Sequence, residues 1–226
     1  MVYLCYNENI TYTRRMHVKA VVFDFDGTML DTENLWYTET MNYLKETYDI
    51  DLPDEIYQQI IGTSEEPIIR YMMEATNGAF DKEAFLTTVA EACHLGQQSL
   101  GFRDGFKEFF EQVKANDFKI GLATSSGFDW IEPTLDRLGI LADFETIQTA
   151  DHVDEIKPHP ALYLQAVEAL GVKPEEAIAI EDSKNGALSA MQAGLKVYIV
   201  PNEATKNITF PKEATVVSSF AEINLK

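Results

Sequence analysis

Apolar and polar positions change rhythm three times along the 226-residue chain. Residues 1–17 are polar and carry no clear period. From Lys19 the text KAVVFDFDGT is a β-branched, aromatic run that ends abruptly in two acids and a glycine, which reads as a buried strand entering a loop. From Glu33 to about Ser99 the period becomes helical. Leu35, Thr38, Met41, Leu44 and Tyr48 recur at three- and four-residue steps. Further helices are predicted near 54–60, 65–76 and 81–98, broken by Pro53, Gly62-Thr63 and Asn77-Gly78.

After Gly101 helix and strand alternate. Helices at 105–115, 128–138, 160–170 and 184–193 interleave with strands at Lys119–Ala123, 144–148, 177–180 and 196–200, and a last strand is predicted near 215–217. Such alternation implies right-handed crossovers and a parallel sheet. The predicted fold is α/β: a Rossmann-like parallel sheet with helices on both faces, plus an all-helical domain inserted after the first strand. The predicted boundaries are an N-terminal tail at 1–17, a core from 18–32 and 100–226, and a helical cap domain at 33–99. Met16 stands just before the first strand.

Composition narrows the partners. Apolar residues make up 46% and charged residues 24%, and a chain this long buries a core without disulfides or structural metals. Eighteen bases against 37 acids leave a charge of −19. Nucleic acid is disfavoured, because phosphate backbones need clustered lysine and arginine. An anionic membrane surface is disfavoured for the same reason. The insertion alone holds 13 acids against Lys45, Arg70 and Lys82. Its surface reads as a solvated helical face that does not itself attract an anion. The two cysteines, Cys5 and Cys93, read as incidental thiols of an intracellular protein. No apolar run reaches ~18 residues, and residues 1–10 lack the basic and apolar regions of a signal peptide. The expectation is a cytoplasmic protein. His17, His94, His152 and His159 lack metal-ligand spacing and read as surface or loop residues.

In an open parallel sheet, ligands bind at the carboxyl ends of the strands. The first strand ends in Asp24, Phe25, Asp26, Gly27 and Thr28; the strand closing at Ala123 supplies Thr124, Ser125 and Ser126; Lys157-Pro158 follows the 144–148 strand; Glu181, Asp182 and Ser183 follow the 177–180 strand. Four strand ends thus bring together carboxylates, hydroxyls and one lysine.

In this order, the Asp24-Phe-Asp26-Gly27-Thr28 run, Thr124, Lys157-Pro158 and Glu181-Asp182 resemble the four motifs of the haloacid dehalogenase superfamily, over residues 19 to about 201. The segment between the first two motifs is similar to that family's helical cap, and the later motifs look most like its phosphatase and β-phosphoglucomutase branch. The resemblance implies Asp24 as a nucleophile toward phosphorus, forming and then losing an acyl phosphate. Asp26, two residues on and on the same side of a pleated backbone, suits general acid work and then base work on water. Phosphoryl oxygens and a carboxylate nucleophile repel, so a divalent cation is required, and oxygen ligands favour Mg²⁺. Asp24 and Asp182 are the implied side-chain ligands, with the Asp26 carbonyl added by the resemblance and Glu181 acting directly or through water. Glu181 and Asp182 also suit the N-terminus of the 184–193 helix electrostatically, a compatible role. Thr124, Lys157 and the backbone N–H groups of Ser125 and Gly27 are expected to hold phosphate.

Asp31-Thr32-Glu33 resembles the cap hinge of that family and reads equally as a turn with Asp31 or Thr32 as N-cap. Trp36 and Tyr37 read as core of the first cap helix more than as substrate wall. The implied activity is a Mg²⁺-dependent phosphatase of a small phosphorylated metabolite, a sugar phosphate by resemblance of the Glu33–Trp36 stretch. The rival is a β-phosphoglucomutase-type enzyme. That type carries a histidine, an arginine and an asparagine where this chain has Trp36, Glu65 and Phe128. A phosphonatase would need a cap lysine, for which Lys45 is the candidate. A non-catalytic phosphoacceptor or binding module is the reading from outside the enzymes. The pattern leaves oligomeric state open.

Overall fold

The computed structural model describes residues 17–57, 59–60 and 65–225. The proposed tail, Cys5 and the Gly62–Ser64 loop lie outside the described residues, apart from His17. Among the described residues six strands form one parallel sheet: β1 (Ala20–Phe23), β2 (Lys119–Ala123), β3 (Thr146–Gln148), β4 (Ala177–Glu181), β5 (Lys196–Ile199) and β6 (Thr215–Val216), in the spatial order β3-β2-β1-β4-β5-β6. This is the strand order of a doubly wound nucleotide-binding type of sheet. Its central strand is β1, flanked by β2 and β4.

The pleat sorts the strand residues onto two faces. Val21, Phe23, Ile178 and Ile180 join one apolar cluster with α5 (Phe106–Ala115) and α6 (Phe128–Arg137). Ala20, Val22, Ala177 and Ala179 join the other with α7 (Ala161–Ala169) and α8 (Lys184–Gln192). On β1 and β4 that second face is mostly alanine, so α7 and α8 pack on a low-relief surface. On the first face, Phe23 meets the rings of Phe106, Phe109 and Phe110 at centroid distances of 5.5, 6.0 and 5.5 Å. Such pairs contribute roughly 0.5–1.5 kcal/mol each beyond area burial. Because Phe23 directly precedes Asp24, this packing fixes the strand end that carries the site.

Between β1 and β2 lies a helical insertion: α1 (Thr32–Tyr48), α2 (Asp54–Tyr57), α3 (Glu66–Ala75) and α4 (Lys82–Gln97). It buries its own cluster, including Leu44, Tyr57, Ile68, Met72, Phe85 and Val89. Helix α4 opens at Asp81, whose carboxylate accepts from the Ala84 N–H at 3.0 Å. Among the described residues no helix is long and apolar enough to cross a membrane.

Candidate active site

Strand register explains why acids far apart in the chain meet. Phe23 pairs with Ile180 across β1 and β4, and the Asp24 N–H donates to the Ile180 carbonyl at 3.0 Å. The next residues along each chain, Asp24 and Glu181-Asp182, therefore emerge side by side. On the other flank Phe23 pairs with Leu122, which brings Thr124 and Ser126 to the same edge. A cavity of ≈ 260 Å³ opens here between sheet and insertion, lined by Asp24, Asp26, Thr124, Ser125, Lys157 and Asp182 among others.

Lys157 is buried, and its ammonium donates to Asp24 Oδ1 at 2.6 Å and Glu181 Oε1 at 2.7 Å. Burial opposes its charge, but Asp24 and Glu181 more than offset this and hold Lys157 above its ordinary pKa. Burial, then the charge of Glu181, push Asp24 up to about 7, with Lys157 pulling the other way. Burial and then Asp24 and Glu181 raise Asp182 well above the usual carboxylate range. Asp24, Glu181 and Asp182 can each bring one oxygen within 4.8 Å of the others. Among the described residues Lys157 is the one base hydrogen-bonded to this trio. Three buried carboxylates held this close with one ammonium are short of positive charge, and an all-oxygen set suits a hard divalent ion. The donor chemistry fits the expected cation.

The trio is not uniform. Glu181 Oε1 accepts from Lys157 and from Tyr163 at 2.6 Å, while Oε2 accepts from Ser183 Oγ and N–H at 3.2 and 3.4 Å. Asp182 accepts from Thr28 at 3.2 Å and Asn202 at 2.7 Å. Asp26 accepts from Ser126 Oγ at 2.5 Å and from the Trp130 indole at 2.9 Å. Thr124 is buried, and its Oγ1 accepts from the Ser126 N–H at 3.1 Å.

Two glycines make this density possible. Gly27 sits at φ +73°, and a Cβ there would lie 2.4 Å from Asp182 Oδ2. A Cβ on Gly186 would lie 2.0 Å from the Glu181 carboxylate.

Several sequence expectations need correction. The Gly27 N–H, expected to face phosphate, donates instead to Thr32 Oγ1 at 3.1 Å. Its carbonyl accepts from Asn202 at 3.2 Å and from Arg103. Gly27 thus braces Asp182 and the β1 loop. Neither Asp31 nor Thr32 caps α1 through its side chain: Asp31 makes no cap hydrogen bond, and the Thr32 hydroxyl is spent on Gly27. Trp36 is half-buried and lines the cavity as well as packing on the insertion's core. Tyr37 turns away from it, packing edge-on to Tyr57 at 4.9 Å and bonding Asp54. Lys45 is paired with Asp49 and Asp51 at 2.9 Å on the surface and does not line the cavity. The phosphonatase reading loses its lysine. The four histidines are exposed, as expected, although the His94 ring packs at a tilt against Trp130.

Sequence reasoning missed Tyr163, Arg103, Asn202 and Trp130. Asn202 lies just past β5, so the strand-end rule would have found it had it been carried to the fifth strand. Tyr163 looked like one more apolar position of α7. Arg103 binds the carbonyls of Gly27, Val200 and Pro201, the last two at 3.0 and 2.7 Å, a contact that no local pattern announces.

A parallel sheet whose central strand ends in acids, with a buried lysine and a cation-ready carboxylate group beside it, gathers its chemistry-bearing side chains at the strand ends, where open α/β sheets bind ligands. The chain belongs to the haloacid dehalogenase-like hydrolase family, whose model matches residues 21–200, and it is a hydrolase. It is 38% identical over 210 residues to the Bacillus subtilis protein named Putative phosphatase YhcW, covering 92% of this chain and 94% of that one. The Phosphorylated carbohydrates phosphatase of Thermotoga maritima is 32% identical over 180 residues, covering 79% of this chain and 83% of that one. The crystal structure of CbbY from Rhodobacter sphaeroides in complex with phosphate superposes with a TM-score of 0.74 at 26% identity, covering 91% of this chain and 96% of that one.

Proposed function

We propose that this chain is a Mg²⁺-dependent phosphatase that hydrolyses a small phosphorylated carbohydrate through a phosphorylated Asp24. The observation that carries the reading is the Asp24 carboxylate: it lines the cavity, sits 2.6 Å from the buried Lys157 ammonium and shares a cation-sized space with Asp182. Names of relatives support the substrate class, since one acts on phosphorylated carbohydrates.

Asp24 forms a bond to phosphorus while the bond from phosphorus to the leaving oxygen breaks, and Asp26 gives that oxygen a proton. Asp26 then takes a proton from a water that attacks phosphorus, and the bond to Asp24 breaks. Lys157 and the Thr124 hydroxyl meet the negative charge that gathers on the phosphoryl oxygens. Asp24, Asp182 and the Asp26 carbonyl would hold Mg²⁺, which supplies charge neutralisation between the nucleophile and the phosphoryl group. Glu181 stands within reach as a further ligand. Both its oxygens already accept donors, so its first role is to hold Lys157. Ser125 borders the phosphate space beside Thr124. The helical insertion acts as the cap, closing the cavity against water.

The insertion's side of the cavity speaks against a mutase. Glu65 lines it, and Lys157 is the one base among its described lining residues. A second phosphate would face acid where it needs a donor. A volume of ≈ 260 Å³ is in keeping with a small-molecule substrate. The test is phosphate release from a panel of phosphorylated metabolites with and without Mg²⁺, using Asp24→Asn as the blank. Turnover by Asp24→Asn at the wild-type rate, or isomerisation of a sugar phosphate without net release, would contradict the assignment.

A further inference from the structure

The Asp26 carboxylate accepts from Trp130, a core side chain that also packs against the insertion's cluster. Trp130 sits in the first turn of α6, and that turn is pinned: the Phe128 N–H donates to Asp151 at 2.7 Å, and the Thr149 hydroxyl holds the same carboxylate at 3.0 Å. From this mount the Trp130 N–H reaches Asp26 Oδ1, opposite the Ser126 hydroxyl on Oδ2. The indole ring packs against both the sheet cluster and the insertion's cluster. Trp36 of α1 meets it at 5.8 Å and His94 of α4 at 5.9 Å. A single side chain therefore touches the acid, the core and two helices of the insertion.

We propose that Trp130 is a positioning residue that couples the seating of the insertion to the orientation of the Asp26 carboxylate. The two donors fix the plane of the group. Each carboxyl oxygen has a second lone pair, so the position that carries a proton remains open. When the insertion seats on the core, Trp36 and His94 hold the indole, and the indole holds Asp26 toward the leaving oxygen. When the insertion lifts, that restraint goes with it. Proton transfer is thereby confined to the closed, water-poor state. The inference rests on the assignment of Asp26 as the general acid.

A purely structural tryptophan would affect every substrate alike, whereas a residue that positions the acid affects substrates according to how much their leaving group needs a proton. The experiment compares kcat/KM, which reports free enzyme through the first transition state, for a hexose 6-phosphate and for p-nitrophenyl phosphate, whose phenolate departs unprotonated. Trp130→Phe keeps a ring in the stack and deletes the N–H. It should lower kcat/KM on the hexose phosphate by about tenfold, as expected for a lost hydrogen bond to a charged group, with p-nitrophenyl phosphate changing far less. His94→Ala is an exposed change that leaves the N–H in place. It should produce the same selective loss at about threefold, the scale of one aromatic contact. Equal losses on both substrates, or none, with either variant would overturn the coupling. Asp26→Asn separates the layers. If it slows both substrates equally in kcat/KM, the acid assignment fails; if it is selective while Trp130→Phe is not, only the coupling fails.

Discussion

The two walls of the cavity are built on opposite plans. On the sheet side the carboxylates are tied to named donors: Asp24 to Lys157, Asp26 to Ser126 and Trp130, Glu181 to Lys157, Tyr163 and Ser183, Asp182 to Thr28 and Asn202. The insertion's wall is mainly aromatic and aliphatic, with Trp36, Tyr57, Phe85 and Val89, and its acids are Glu33 and Glu65. A wall of fixed charges suits chemistry that must be identical at every turnover, because electrostatic stabilisation works when dipoles need no reorganisation. A wall of apolar surface with Glu65 at its edge suits selection, since it shapes the non-reacting part of a substrate and sets an acid against a second anion. The contrast is open to attack from either side.

The largest effect belongs to the sheet side. Asp24→Asn should reduce phosphate release by on the order of 10⁴-fold or more, as loss of a nucleophile does elsewhere. It should leave the melting temperature equal or higher, because a crowded buried carboxylate has gone. Colorimetric phosphate assay and differential scanning fluorimetry check both halves. Next in size is Lys157→Met, which leaves Asp24 and Glu181 buried without their ammonium. Removing one partner of a buried ion pair costs about 3–5 kcal/mol, so chemical denaturation should show a loss of that order together with collapse of activity. A Lys157→Met protein of wild-type stability would mean that the sheet-side network is not the rigid element described.

How much of this was readable beforehand follows the same division. The sheet side was legible because strand ends in a parallel sheet are neighbours wherever they lie in the chain. Asp24, Thr124 and Asp182 follow runs with plain apolar patterning, Lys157 comes nine residues after a short strand, and the cavity that they line is where the strand-end rule places it. What pattern alone missed is the partner of each acid. Gly27 looked like a phosphate donor because a DxDGT run shows which residue has a free choice of φ, not which hydroxyl its N–H meets. The insertion was legible only as helices. Whether Trp36 faces core or cavity depends on how α1 packs against α4 and on a ring from α6, Trp130, more than ninety residues away in the chain. Helical period places a residue on a face, but which neighbour that face meets is a tertiary fact.

The junction of the two walls gives a pH prediction. Glu33, at the start of α1, opens onto the cavity. Burial, then the charges of Asp26, Asp24 and Asp31, push its carboxyl up to about 8. Asp24 stands at about 7, while in the unfolded chain both titrate near ~4. The folded state thus keeps protons that the unfolded state has released. The associated stability is complete below about pH 4 and is lost as pH rises through 7 and 8. Without metal, the melting temperature should fall steadily between pH 5 and pH 8. Glu33→Gln should flatten the upper part of that fall. Mg²⁺ should raise the melting temperature more at pH 8 than at pH 6, since ligand carboxylates must shed their protons to bind it. A flat metal-free profile would show that these acids are not crowded as described.

The smallest predicted effect tests the insertion's wall alone. Glu65 precedes α3 and lines the cavity opposite the sheet. If this wall selects by repulsion, Glu65→Arg should leave the chemical step intact, because every hydrogen-bonded group of the sheet side is untouched. It should change only the ranking of substrates. An exposed or partly exposed charge interaction is worth roughly 0.2–1 kcal/mol, and reversing a charge removes one repulsion and adds one attraction. The kcat/KM for a sugar bisphosphate should therefore rise severalfold relative to the matching monophosphate, with the effect falling at high salt as screening shortens the reach of the new charge. The same rise for both substrates would mean that Glu65 acts on the phosphate common to them, and the two walls would no longer divide chemistry from selection.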